Sequence, residues 1–193
     1  MCSSDLPACM ASIGLEFITS LIQGKTPSVS KLKRPYEVAS IIIGGGAAGC
    51  STAMQLSSRG KKVLVLEQAL LGSGSTGRAA GLGAQLRESP DETRLLMQGI
   101  EVVKDIERRL DKVIFTRTGS LHVAADPGRA AELQNFTRMG QEIGFEIDLV
   151  DEEFSRRVLP CMKTEDLIEY CYCPSDGHFD PAELLSSYIE LAR

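Results

Sequence analysis

A run of isoleucines, Ile41 to Ile43, leads straight into three consecutive glycines, and a fourth completes Gly44-x-Gly46-x-x-Gly49. Few backbones tolerate such a cluster, so its surroundings decide its meaning. Upstream, "YEVASIII" is an apolar, β-branched stretch that reads as a buried strand. Downstream, "AGCSTAMQLSSRG" places Ala48, Thr52, Ala53 and Leu56 at helical spacing before Gly60, and "KKVLVLE" repeats the buried-strand pattern. Residues 36–67 are therefore predicted to form a β-α-β unit. Parallel strands joined by a crossover helix imply a right-handed connection and a doubly wound sheet.

In that unit the glycines fall at the strand-to-helix turn. There the chain must turn tightly, let its backbone approach a pyrophosphate, and then pack helix against strand without intervening side chains. The helix N-terminus adds oriented N–H groups and partial positive charge where phosphates would lie. A Gly-rich turn alone is weak evidence in a chain with 18 glycines. Here Ala53 and Leu56 occupy sheet-facing positions, Gly60 stops the helix, and Glu67 closes the second strand about 20 residues on, where a carboxylate meets ribose hydroxyls. The conjunction predicts a dinucleotide site at Gly44, Gly45, Gly46, Ala47, Ala48 and Gly49, with Glu67 and its neighbour Gln68. An acid at the ribose position disfavours a nucleotide carrying a 2′-phosphate.

The β-α-β unit leaves NAD and FAD open. The following "LLGSGSTGRAAGLGAQLR" is long, rich in small residues and without hydrophobic period. Such a loop can lie flat under a large planar ring, its amides serving the ring's acceptors. At these residues the sequence resembles the D-amino-acid oxidase-like flavoenzymes. "GGGAAGCSTAMQLSSRGKKVLVLE" is similar to their FAD pyrophosphate-ribose motif and "GSGSTGRAAG" to the loop that embraces the flavin; "TRTGSLHVA" and "DGHFDPAELL" also look like family segments. The nearest likeness is to the sarcosine oxidase beta-subunit, glycine oxidase and dimethylglycine dehydrogenase branch, over about residues 36–193.

The resemblance implies an α/β fold: a Rossmann-like FAD-binding domain of the glutathione-reductase type with the start of an α+β substrate domain. It divides the chain into an extension and linker (1–35), the first part of the FAD domain (36–111), the start of a substrate-side subdomain (112–179) and a helix returning to the FAD domain (180–193), so the chain is expected to be an N-terminal fragment. It adds Gly74, Ser75, Thr76, Gly77, Arg78, Ala79, Ala80, Gly81 and Leu82 to the cofactor-binding residues. One departure is Arg78. Related dehydrogenases carry a flavin-linking His in "STWHAAG", whereas this chain reads "STGRAAG", which implies non-covalent FAD. Arg78 has two readings, a residue near flavin or substrate, or a loop-anchoring ion pair; no other catalytic residue is nominated. The implied activity is oxidation of an amino acid or secondary amine of the sarcosine, glycine or proline type. Alternatives are a nicotinamide-dependent enzyme, a flavin disulfide reductase, disfavoured by the lack of a Cys-x4-Cys pair after Glu67, or a non-catalytic FAD-binding subunit. Partner subunits of a multi-subunit oxidase stay open.

Composition narrows the partners. A formal charge of -5 with no basic patch excludes a nucleic-acid footprint, and no stretch approaches the roughly 20 apolar residues of a membrane helix. No cysteine spacing resembles a disulfide framework, and Cys171-Tyr-Cys173 lacks a second ligand pair, so no metal is expected and the thiols read as reduced core residues of a cytoplasmic protein. Residues 1–35 are expected to hold a short amphipathic helix, with Leu15, Ile18 and Ile22 on one face, and a polar linker. "SPDE" reads as a capping box, Ser89 with Glu92, opening a helix with Leu96, Ile100, Val103, Ile106 and Leu110 on one face. Further helices are expected over "DPGRAAELQNFTRMGQEIG", with Leu133, Phe136 and Ile143 inward, and from Pro181 to the chain's end. His122 and His178 read as isolated, with no third group to complete a catalytic triad.

Overall fold

The computed structural model describes residues 38–193. The extension and linker expected over residues 1–35 lie outside the described residues. The chain forms two compact units, residues 38–79 with Pro181–Arg193, and Ala80–Asp180.

In the first unit, β1 (Ser40–Ile43), α1 (Ala47–Ser57) and β2 (Val63–Leu66) form the predicted β-α-β unit, with the strands parallel in register from Ser40 opposite Val63 to Ile43 opposite Leu66. Among the described residues this sheet has two strands. Successive side chains alternate between faces. Ser40 and Ile42 are half-buried, whereas Ile41 and Ile43 are exposed, so β1 is covered on one face rather than on both. The buried face of α1 also differs from the sequence reading. Cys50, Ala53 and Met54 are buried, while Ala48 and Thr52 are exposed and the Thr52 hydroxyl donates to the Ala48 carbonyl at 2.7 Å. The helix has a second neighbour, α5 (Pro181–Ala192), which turns its apolar face. Ser57 Oγ on α1 donates to the Ala192 carbonyl at 2.7 Å, tying the two helices.

The second unit holds two three-stranded antiparallel sheets. In one, β3 (Leu82–Gly83) and β4 (Phe115–Arg117) flank β8 (Gly177–Phe179); in the other, β5 (Ser120–Ala124) and β6 (Asp148–Val150) flank β7 (Glu169–Cys173). Gly119, with φ +75°, turns the chain from β4 in one sheet to β5 in the other. Helices α2 (Pro90–Leu110), α3 (Pro127–Glu142) and α4 (Glu152–Val158) complete the unit. Its core gathers Leu86, Ala124, Leu133, Phe145, Ile147, Cys171 and Cys173, with Phe136 and Ile143 packed beside them, as the periodicity of α3 predicts. Cys50, Cys161, Cys171 and Cys173 are free thiols.

Helix α2 buries Ile100, Val103 and Ile106 on the predicted stripe. The capping box is not formed: Ser89 is the N-cap, yet its side chain makes no cap bond. Thr93 fixes the entry to the helix in another way, fully buried, its hydroxyl donating to the Ser89 carbonyl at 3.1 Å and accepting from the Arg87 N–H at 3.0 Å. At the other end, Glu107 accepts from the N–H groups of Ile114 and Phe115 at 2.7 and 2.8 Å, fixing the approach to β4. No helix of the described residues is long and apolar enough to cross a membrane.

Candidate functional site

The turn between β1 and α1 is built from three contacts. Gly44 has φ +105°, a conformation that L side chains avoid, and its N–H donates to the Leu66 carbonyl at 2.8 Å. Gly45 N–H donates to Glu67 Oε2 at 2.6 Å, and Ala69 N–H to Glu67 Oε1 at 3.0 Å. Those bonds, the Gly45 one foremost, hold the Glu67 carboxyl below the usual carboxylate range. Each carboxylate oxygen has two lone pairs, so Glu67 locks the turn and still has acceptor capacity for hydroxyl donors. At Gly49 a Cβ would overlap the Gly44 carbonyl oxygen, so helix and turn can approach only with hydrogen there.

The start of α1 presents backbone donors that the helix itself does not use. Gly46 is its N-cap and offers no side-chain bond, and the first turn contains no acid. The first intrahelical bond runs from Cys50 N–H to the Gly46 carbonyl at 2.9 Å, so the N–H groups of Ala47, Ala48 and Gly49 have no acceptor within the helix. Thr76 Oγ1 accepts from Ala47 at 3.1 Å. Ala48 and Gly49 remain as donors at the positive end of the helix dipole. Cys50 is fully buried behind the turn, its thiol 3.5 Å from the Gly45 carbonyl and raised in pKa by burial and then by Glu67.

The small-residue loop is ordered. Gly72 N–H donates to the Gly45 carbonyl at 3.0 Å, Gly77 N–H to the Gly72 carbonyl at 2.7 Å, and Thr76–Arg78 form a single 3-10 turn. Two bonds, Gly72 to Gly45 and Thr76 to Ala47, thus tie the loop to the glycine turn. Gln68, Gly74, Ser75, Gly77, Arg78 and Ala79 are exposed. Among the described residues Arg78 makes no ion pair. Ala80, Gly81 and Leu82 belong to the second unit, where the Gly81 carbonyl accepts from Phe179 N–H at 2.6 Å and the Leu82 side chain is 78% exposed.

Sequence reasoning missed two features. Leu71 packs so close to Gly45 that a Cβ there would strike its Cδ2 methyl; nothing in a lone Leu of a Gly/Ser loop signals this. His122 is also not isolated. Its Nε2 lies 3.1 Å from Ser120 Oγ, and Ser120 Oγ donates to Asp176 Oδ2 at 2.6 Å. Since the Ser120 proton is committed to Asp176, Ser120 can only accept from His122. The serine in the middle makes this a hydrogen-bonded chain and not a nucleophile activated by a base. Burial lowers the His122 pKa, opposed by Asp176 and assisted by Arg129. His122, Cys173 and Asp176 bring one donor atom each within 4.8 Å of one another, with Asp176 Oδ2 bonded to Ser120 and Oδ1 to Gln85 N–H at 2.9 Å. His178 is exposed on β8.

Residues 40–193 match the family model described as FAD dependent oxidoreductase. The chain is 32% identical over 162 residues to 4-methylaminobutanoate oxidase (formaldehyde-forming) of Paenarthrobacter nicotinovorans, covering 82% of this chain and 20% of that protein. It is 33% identical over 145 residues to mitochondrial sarcosine dehydrogenase of Mus musculus, covering 74% of this chain and 16% of that protein. Among solved structures it resembles L-proline dehydrogenase from P. horikoshii, with TM-score 0.77 and 25% identity over 82% of this chain and 42% of that one. Glycine oxidase from Geobacillus kaustophilus, with TM-score 0.69 and 22% identity over 82% of this chain and 45% of that one, shares the mixed α/β fold. The chain spans about a fifth or less of the length of these two curated relatives.

Proposed function

Because this chain belongs to the FAD-dependent oxidoreductase family, we propose that it is the FAD-holding part of an enzyme that oxidises an amino acid or secondary amine. The observation that carries the reading is the Gly45–Glu67 bond beside the start of α1: one carboxylate and the N–H groups of Ala48 and Gly49, the donor and acceptor types that the ribose and pyrophosphate of a dinucleotide require.

In this reading the N–H groups of Ala48 and Gly49 hold the pyrophosphate, with Gly44, Gly45 and Gly46 giving it room. Glu67 keeps its backbone bonds to Gly45 and Ala69 and accepts the ribose hydroxyls on its remaining lone pairs, with Gln68 alongside. The backbone of Gly74 to Leu82 supports the flavin ring, Thr76 anchoring that loop to α1 and Arg78 reaching toward flavin or substrate from its exposed position. When bound, FAD supplies the two-electron acceptor that takes hydride from the carbon beside nitrogen, leaving an imine that water hydrolyses. Attachment is non-covalent, because Arg78 stands where related dehydrogenases carry a flavin-linking His. The β-α-β unit is the first part of a Rossmann-like domain of the glutathione-reductase type, and residues 112–179 open the substrate side. The substrate class follows the relatives, whose names specify sarcosine, 4-methylaminobutanoate and proline, all donors with a C–H next to an amine.

The test uses the full-length protein reconstituted with FAD. Flavin absorbance bands in the purified protein, bleached anaerobically by sarcosine, glycine or proline, are the expected result. Failure to take up FAD overturns the cofactor assignment. Bound flavin that none of a broad set of amines and amino acids reduces favours a non-catalytic FAD-binding subunit.

A further inference from the structure

We propose that Asp176 is a positioning residue for the cofactor-binding loop, acting through Gln85; the proposal rests on the FAD reading of Gly81 and Leu82 above. Asp176 is completely buried, and its carboxylate accepts three bonds: from Gln85 N–H at 2.9 Å, from Gln85 Nε2 at 3.2 Å and from Ser120 Oγ at 2.6 Å. Its backbone is equally committed, its carbonyl accepting from Gly119 N–H at 2.8 Å and its N–H donating to the Cys173 carbonyl at 3.3 Å. One side chain thus joins the end of β3, the start of β5 and the turn between β7 and β8.

Strand β3 needs such an anchor. It pairs with β8 through Leu82 and Gly83 only, and two residues of ladder are a weak hold on register. Outside that short pairing, the segment is fastened at its front by the Phe179 N–H to Gly81 carbonyl bond and behind by the Gln85–Asp176 pair. Between these fastenings Gly83 is buried against Phe115 and Phe179, and Leu82 points its side chain outward. A shift of one residue would exchange those two faces, putting Leu82 where only Gly fits. Asp176 thereby sets which backbone groups of residues 81–83 the loop presents.

The carboxylate is the chemically specific part. An anion buried among neutral donors is costly to desolvate unless every lone pair it can use is met. Asn at this position could accept both Gln85 bonds on its amide oxygen, while its amide nitrogen would donate to Ser120 Oγ and reverse that bond. The conservative replacement therefore keeps shape and volume while removing the charge that strengthens the two Gln85 bonds.

In the full-length protein, D176N is expected to stay folded by circular dichroism while its dissociation constant for FAD, read by flavin fluorescence titration, rises at least fivefold and the visible flavin band shifts. A lowered Tm with an FAD constant changed less than fivefold overturns the proposal, because a purely structural aspartate would behave that way. If D176N is recovered unfolded, Q85M decides. It removes the Gln85 Nε2 bond to Asp176 and keeps the carboxylate and its Ser120 bond, and a threefold or greater rise supports the clamp whereas a smaller one rejects it. A parent protein that takes up no FAD overturns the functional reading and this proposal with it; a parent that binds FAD beside an unaffected D176N overturns this proposal alone.

Discussion

Thr76 and Ala47 are 29 residues apart in sequence, yet the Thr76 hydroxyl oxygen accepts the first free N–H of α1 at 3.1 Å. It acts as an N-cap delivered from another segment, because Gly46, the residue at the N-cap position, has no side chain to do so. The bond makes the glycine turn and the small-residue loop a single object.

Thr76→Val keeps the shape and removes the acceptor. The cap should be worth about 1 kcal/mol, in the range found for local N-caps. The expected outcome is that much loss of apoprotein stability in urea unfolding, with part of it recovered on adding FAD, since a phosphate oxygen can take the orphaned N–H. An apoprotein of unchanged stability would mean that water satisfies Ala47 equally well.

Gly49→Ala tests the close approach of helix and turn. The added Cβ would overlap the Gly44 carbonyl oxygen, which is backbone and cannot swing aside. Overpacking of this kind costs roughly 1–3 kcal/mol, and the displaced turn should also lose FAD. Chemical denaturation and FAD titration on the same variant check both; full stability and FAD affinity would show that the turn yields without cost.

The β-α-β unit was legible because it is local. Glycine positions, the strand patterns and Glu67 all fall within residues 36–67, and the structure assembles them in that order. The face of α1 was not, because periodicity identifies an apolar stripe but not the second helix, α5, that arrives from the other end of the chain to widen it. The capping box failed for a similar reason. Ser89 and Glu92 have the right spacing, but the entry to the helix is held instead by the buried Thr93, whose hydroxyl bonds the Ser89 carbonyl and the Arg87 N–H. His122 read as isolated since its partners, Ser120 and Asp176, meet only through the pairing of β5 with β7, where Ser120 lies opposite Cys173.

That same chain predicts a pH dependence. Burial lowers the His122 pKa from its ordinary value of 6.5, with Asp176 opposing and Arg129 assisting. Between the folded value and 6.5 the unfolded chain binds a proton that the folded chain does not. Stability therefore rises with pH through that window, is fully present above 6.5, and is lost as pH falls through the folded value. Plots of Tm against pH for the full-length protein should slope upward as pH approaches 6.5 from below, and His122→Gln should flatten the slope. An unchanged slope in that variant would assign the effect to other groups.

Attachment of the flavin gives the last prediction. Covalent linkage at this loop needs a nucleophile, and Arg78, which the resemblance sets at the place of a linking His, is a guanidinium that stays protonated and has no lone pair to offer. Its neighbours do not replace it. The Thr76 oxygen is engaged with Ala47, Ser73 and Ser75 are hydroxyls with no base bonded to them among the described residues, and Cys50 is a fully buried thiol behind the glycine turn with its pKa raised. FAD should therefore be held through phosphate, ribose and backbone contacts alone. Acid precipitation of the full-length holoenzyme is expected to release the yellow cofactor into the supernatant. Colour retained in the pellet, with a flavin adduct mapped by mass spectrometry to any residue from Gly72 to Arg87, would show that this loop carries a nucleophile after all.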